Sequence, residues 1–252
     1  RRPPRSTPLY SAAASDVYKR QLLGNTPLQI ELTLMTTASY SPKNAPSGHL
    51  EQFYRKLPDI PGEYFDGMIF SGAPIERLPF EDVDYWEELS EIIDWSTEHV
   101  AGRLGICWGA QALMYRLHGV EKYEHPKKLF GIFDHTLETE QRPSGLLAGF
   151  TASFPMPVSR YTGNRPEAIE AASGLEIVAR SEQSGVAMVR DTRSQDVFVL
   201  NHLEYDAETL AEEYERDRSE GLETALPENY FPEDDPGNSP ANRWRPYAFL
   251  LL

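Results

Sequence analysis

Apolar and polar residues alternate from Leu28 to Leu34, which predicts a strand with one buried face. Tyr64–Phe70 predicts a second strand, ending at Ser71-Gly72-Ala73-Pro74. Over Asp84–His99 the period becomes helical: Trp86, Leu89, Ile92, Ile93 and Trp95 face inward, and Glu87, Glu88 and Glu91 face out. Leu104–Ile106 ends a buried strand, and Ala110, Ala112, Leu113 and Leu117 recur at helical spacing, so a helix starts near Trp108. Gly174–Ala179, Gly185–Arg190 and Val197–Asn201 predict three more strands, and Asp206 an N-cap for a helix over 207–218. Between these lie a loop over Tyr40–Ser47, a short helix over His49–Leu57 and a basic connection over His118–Gly131. A Pro- and Asp-rich loop spans Glu220–Pro246, and an apolar run ends the chain. Strands alternating with helices predict an α/β fold: an open, mostly parallel, doubly wound sheet.

Cys107, the one cysteine, falls where a strand turns into a helix, between Gly105 and Gly109. A lone cysteine is usually a small buried hydrophobe. Here the flanking glycines permit a sharp turn that lifts the side chain out of the sheet, the nucleophile-elbow pattern with Cys in place of Ser. A helix N-terminus at that point favours a thiolate and offers N–H groups to an oxyanion.

Composition narrows the class. The 252 residues suit one large α/β domain or two small ones. A net charge of −15 argues against nucleic acid and anionic membranes as partners. One cysteine excludes an internal disulfide and fits a reducing, cytoplasmic setting. No apolar run approaches the ~20 residues of a membrane span. No zinc-type Cys/His spacing, phosphate loop or internal repeat is present. Metal chemistry is therefore not expected.

Ligand sites of open α/β sheets lie beyond the carboxyl ends of the strands. Three such ends carry chemistry: Ser71-Gly72-Ala73, the Cys107 elbow, and His202-Leu203-Glu204. In extended backbone, residues two apart share a side, so His202 and Glu204 both reach toward Cys107. A nucleophile, a base and an orienting carboxylate follow the triad logic.

Asn25–Gln29, Phe65–Pro74, Asp82–Trp86, Cys107–Ala112, Lys127–His135, Ser159–Tyr161, His202–Asp206 and Asn229–Pro236 together resemble the homoserine O-acyltransferase family of methionine biosynthesis. The resemblance implies a class I glutamine amidotransferase-like fold and transfer of an acyl group from acyl-CoA to homoserine. It assigns Cys107 as acyl-thioester carrier, His202 as base and Glu204 as its partner. It places homoserine against Lys128, Ser159 and Arg216, with Arg216 able to hold the carboxylate bidentately. The backbone N–H groups of Trp108 and Gly72 are the expected oxyanion hole. A glutamate at Glu76 goes with acetyl transfer in the family, so acetyl-CoA is the expected co-substrate, with no bound cofactor. Succinyl transfer, or a glutamine amidohydrolase or peptidase with the same Cys-His-Glu set, are the alternatives. A homodimer is a candidate assembly. Residues 1–21 resemble translated adapter sequence and are expected to lie outside a single domain over 22–252. That domain is expected to lack the family's first strand, with its lysine, and a last helix.

Overall fold

Short runs of Val, Ile, Phe and Met settle into one sheet. The computed structural model of the chain describes residues 21–25, 28–39, 54–138 and 145–251. Its strands are β1 (Leu34–Met35), β2 (Tyr54–Arg55), β3 (Met68–Phe70), β4 (Arg103–Ile106), β5 (Lys122–Leu137), β6 (Ser153–Asn164), β7 (Leu175–Ser181), β8 (Gly185–Asp191) and β9 (Val197–Val199). The helices are α1 (Trp86–His99), α2 (Trp108–His118), α3 (Pro166–Ala171), α4 (Thr209–Ser219) and α5 (Arg245–Leu251).

The main sheet runs β3-β4-β9-β8-β7-β5-β6. β3, β4 and β9 are parallel, with Met68 opposite Arg103 and Ile106 opposite Val199. The remaining neighbours pair antiparallel. The parallel part, β3-β4-β9, is the part whose strand ends lead into Gly72, Cys107 and His202.

Successive side chains along the central strands divide between two cores, as the strand period requires. Val178, Met188, Val197 and Val199 join Phe154, Leu203, Leu210 and Trp244 on one face. Ile177, Val189 and Phe198 join Ile92, Ile93, Leu113 and Met114 on the other. So α1 and α2 cover one face, while α4 and α5 cover the opposite one. In α1, Ile92 and Ile93 are buried and Glu87 and Glu91 exposed, as the pattern predicts.

Several expectations are corrected. Of Leu28–Leu34, only Leu34 enters a strand, β1, which pairs with two-residue β2 outside the main sheet. Leu28, Ile30 and Leu32 are 74%, 47% and 47% exposed, so the alternation does not bury a face. A strand pattern needs a paired edge and a covering layer before it buries anything. The basic connection after α2 is instead the sixteen-residue strand β5, pairing with β6 across a bulge between Glu124 and Leu129. Lys122, Lys127 and Lys128 masked its period. β6 went unread because Pro155 and Pro157 sit inside it; it closes one side of the described sheet, where a missing N–H is tolerated. α4 begins at Thr209 with Glu208 at its N-cap, not Asp206. The segment 40–47, and residues 49–53 of the expected short helix, lie outside the described residues, as does nearly all of 1–21. Tyr54 and Arg55 are extended, and Leu57 opens a 3-10 turn with Pro58, a residue that disfavours helix before it.

Candidate active site

The elbow forms as its glycines require. Cys107 has φ 53 and ψ −120 and stands at the N-cap of α2, its N–H donating to Val199 O at 2.7 Å. A non-glycine residue in that region stores roughly 1–3 kcal/mol, which the surrounding packing must hold. A side chain at Gly109 would put Cβ 2.2 Å from Phe70 O, and one at Gly105 would put it 2.5 Å from Ala110 Cα. The first turn of α2 therefore lies against β3 and β4, and no side chain fits between. Gly72 approaches from β3: a Cβ there would stand 3.2 Å from Cys107 Cβ and 3.7 Å from Sγ.

His202 and Glu204 meet through a turn rather than along extended backbone. The His202 N–H donates to Pro157 O at 3.0 Å, and its Nδ1 lies 2.8 Å from Glu204 Oε1. The Cys107 sulfur interacts with the same imidazole. Burial opposes charge on this imidazole, but the sulfur and the Glu204 carboxylate outweigh it and hold its pKa well above 6.5. Tyr205 stacks on the imidazole, centroids 4.1 Å apart and planes 18° apart. Its hydroxyl donates to Glu213 Oε1 at 2.6 Å. Burial, with Glu213 and Glu204 nearby, keeps that phenol protonated, well above its usual range.

On one side of this row is a charged pocket. Lys128 Nζ donates to Asp217 Oδ2 at 2.8 Å, lies 3.8 Å from Glu213 Oε2, and sits over the Phe130 ring at 4.2 Å. Ser159 Oγ donates to Glu213 Oε2 at 2.5 Å. Arg216 directs Nε and Nη2 to Asp217 Oδ1, at 3.2 and 2.8 Å. The fork expected to face a substrate carboxylate is thus turned onto Asp217. Burial alone would raise the Asp217 carboxyl, but Lys128 and Arg216 hold it below its usual range.

On another side, Glu76 Oε2 accepts from Thr162 Oγ1 at 3.0 Å and from Thr162 N at 3.3 Å. Lys122 Nζ pins the same loop through the carbonyls of Glu76 and Leu78. Glu76 is therefore held in place rather than freely solvated. Gly72, Glu76, Cys107, Trp108, Lys128, Ser159, His202, Glu204 and Arg216 all line one cleft of about 2030 Å³.

The sequence reading did not single out Tyr205, Glu213 or Asp217. Tyr205 sits inside the His202–Asp206 block, where an aromatic suggests core. Glu213, Arg216 and Asp217 fall at helical spacings of three and four on α4, which was a signal for one shared polar face. Behind the site, Arg160 is 2% exposed and donates to Asn201 Oδ1, His125 Nε2 and the carbonyls of Thr162, Ser184 and Val186.

Known proteins resemble this chain at two levels. Among solved structures, a glutamine amidotransferase from Methylobacillus flagellatus is 14% identical with a TM-score of 0.57, over 88% of this chain and 93% of that one. The glutaminase domain of Trypanosoma brucei CTPS with bound acivicin is 12% identical with a TM-score of 0.55, over 88% and 94%. At such identity the likeness shows the fold, which is class I glutamine amidotransferase-like. Sequence relatives are nearer. A homoserine O-acetyltransferase from Geobacillus kaustophilus is 48% identical over 232 residues, 92% of this chain and 76% of the relative. One from Lactococcus lactis is 46% identical, over 92% of this chain and 72% of the relative. The sequence model described as homoserine O-succinyltransferase matches residues 14–252. By that match and those identities, the chain belongs to the homoserine O-succinyltransferase family.

Proposed function

We propose that this chain transfers an acetyl group from acetyl-CoA to the hydroxyl of homoserine, with Cys107 as the transient carrier. The observation that carries the reading is the shared cleft: the elbow thiol pairs with His202–Glu204 and opens onto the pocket of Lys128, Ser159 and Arg216.

In the first half-reaction the Cys107 sulfur attacks the thioester carbonyl. The oxyanion is met by the N–H groups of Trp108 and Gly72. The carbonyl re-forms, the CoA sulfur leaves, and the proton held on His202 goes to it. In the second half-reaction homoserine fills the charged pocket and its hydroxyl attacks the acyl-cysteine. His202 takes the hydroxyl proton, the ester forms, and the Cys107–His202 pair is restored. Glu204 keeps the imidazole oriented throughout and stabilises its charged form.

The donor choice rests on Glu76 and on the names of the relatives. A succinyl group ends in a carboxylate, which would face Glu76 in a half-buried cleft. At ~4 Å and an effective dielectric near 20, that repulsion is up to about 4 kcal/mol before screening. An acetyl methyl meets no such charge. The lone thiol fits a reducing cytoplasm, and among the described residues no helix is long and apolar enough to cross a membrane.

Mixing the protein with equal acetyl-CoA and succinyl-CoA, then reading intact mass with and without homoserine, tests the scheme. An acetyl adduct on Cys107 that homoserine discharges as the O-acetyl ester is the expected result. A succinyl adduct in excess would overturn the donor, and no adduct at all would overturn the carrier role.

A further inference from the structure

Resting on the transferase reading above, we propose that Asp217 is a positioning residue that fixes Lys128 and Arg216 as a pair for the carboxylate of the amino-acid acceptor. Asp217 is 3% exposed. Its two oxygens divide the work: Oδ2 takes Lys128 Nζ at 2.8 Å and Thr224 Oγ1 at 3.1 Å, and Oδ1 takes Arg216 Nε and Nη2 at 3.2 and 2.8 Å. One carboxylate therefore bridges two long, flexible cations from different elements, β5 and α4.

Two consequences follow. Lys128 and Arg216 sit on the two oxygens of one carboxylate, and without it their like charges would repel. The bridge also spends the Nε–Nη2 edge of Arg216, which leaves Nη1 as the nitrogen that Asp217 does not engage. A side chain that sets both the spacing of two cations and the presented edge of one acts on recognition, not on bond making. Asp217 is not among the partners of His202, so acylation of Cys107 does not depend on it.

The test compares Asp217→Asn and Asp217→Glu in the full chain. In D217N the KM for homoserine should rise about 10- to 100-fold, the worth of a charge-assisted hydrogen bond, with a smaller fall in kcat. Acylation of Cys107 by acetyl-CoA without homoserine should stay within about twofold of the wild type, because that half-reaction does not use the acceptor's pocket. Turnover of 3-aminopropan-1-ol, which keeps the alcohol and amine but lacks the carboxylate, should barely change. D217E keeps the charge but moves it, and should raise the homoserine KM severalfold, less than D217N. Because D217E retains a carboxylate, it keeps the test decisive if D217N does not fold. A wild-type KM in either variant would overturn the proposal. So would equal losses on homoserine and aminopropanol, or acylation lost in parallel, which would mark a merely structural role. A wild-type protein that forms no adduct on Cys107 would overturn the transferase reading itself, and this proposal with it. A normal adduct with an unmoved KM would overturn Asp217 alone.

Discussion

Acidifying the protein from pH 7 to about 4.5 should destabilise it through two histidines that no part of the proposed chemistry uses. His135 has no exposed surface. Its Nε2 lies 3.0 Å from both Ser184 Oγ and Asn201 Nδ2. The amide of Asn201 donates there, so Nε2 must be the unprotonated acceptor, and a proton on it would set N–H against N–H. Burial first, and then the nearby Arg160 charge, push this imidazole from 6.5 down to about 4. Its folded pKa is below its unfolded one, so the unfolded chain takes up the proton first as pH falls. The associated stability is complete above about 6.5 and is lost between there and about 4. A depression of that size corresponds to about 3 kcal/mol between the two protonation states, of which about 2–3 kcal/mol is gone by pH 4.5. His125 acts in the same direction, lowered to about 4 by burial and by Arg160, whose Nη1 donates to its Nε2 at 3.0 Å. Being only half-buried, it contributes less.

Set against a total stability of about 5–15 kcal/mol for a domain, this loss is large. The assay is urea denaturation of wild type and His135→Gln at pH 7 and 4.5, since glutamine keeps an acceptor oxygen but does not titrate. Carboxylate titration is common to both and cancels in the difference. Wild type should lose about 2–3 kcal/mol more than the variant over that interval. Parallel losses, or a histidine C2–H resonance of His135 that titrates near its ordinary value by NMR, would refute the reasoning.

Replacing the base should cost more than replacing its orienter: His202→Ala should lower turnover on the order of 10²–10⁴-fold, and Glu204→Ala less, in steady-state assays; the reverse order would mean the roles are exchanged. Glu76→Gly should shift donor competition toward succinyl-CoA, because it removes both the charge and the bulk, and an unchanged ratio would detach Glu76 from donor choice. Gly109→Ala should abolish the cooperative thermal transition, since its Cβ would stand 2.2 Å from Phe70 O, whereas Gly119→Ala, at φ 69 in open space, should cost about 1 kcal/mol. Equal melting of the two variants would mean that the elbow tolerates a side chain.

What could be read from the chain and what could not divides by the range of the forces involved. The elbow is legible because its constraints are local: Gly105 and Gly109 are needed by atoms only a few residues away or on the adjoining strand. His202 and Glu204 are legible for the same reason, being two residues apart, although a turn rather than a strand brings them together. β5 and β6 are not legible, because Lys127, Lys128, Pro155 and Pro157 contradict strand propensity and only pairing of the two strands overrides it. Leu28–Leu34 errs in the opposite sense: its alternation is strong, yet most of it joins no strand. Asp217 and Glu213 are the hardest case. On α4 they look like any exposed helix carboxylates, and helix propensity treats them alike. Their contacts come from Leu210 and Trp244 docking α4 on the sheet, which turns that polar face toward β5 and β6 and brings Lys128 and Ser159 within reach. A residue's chemistry is fixed by its own atoms, but whether it serves a site depends on packing made by other residues entirely.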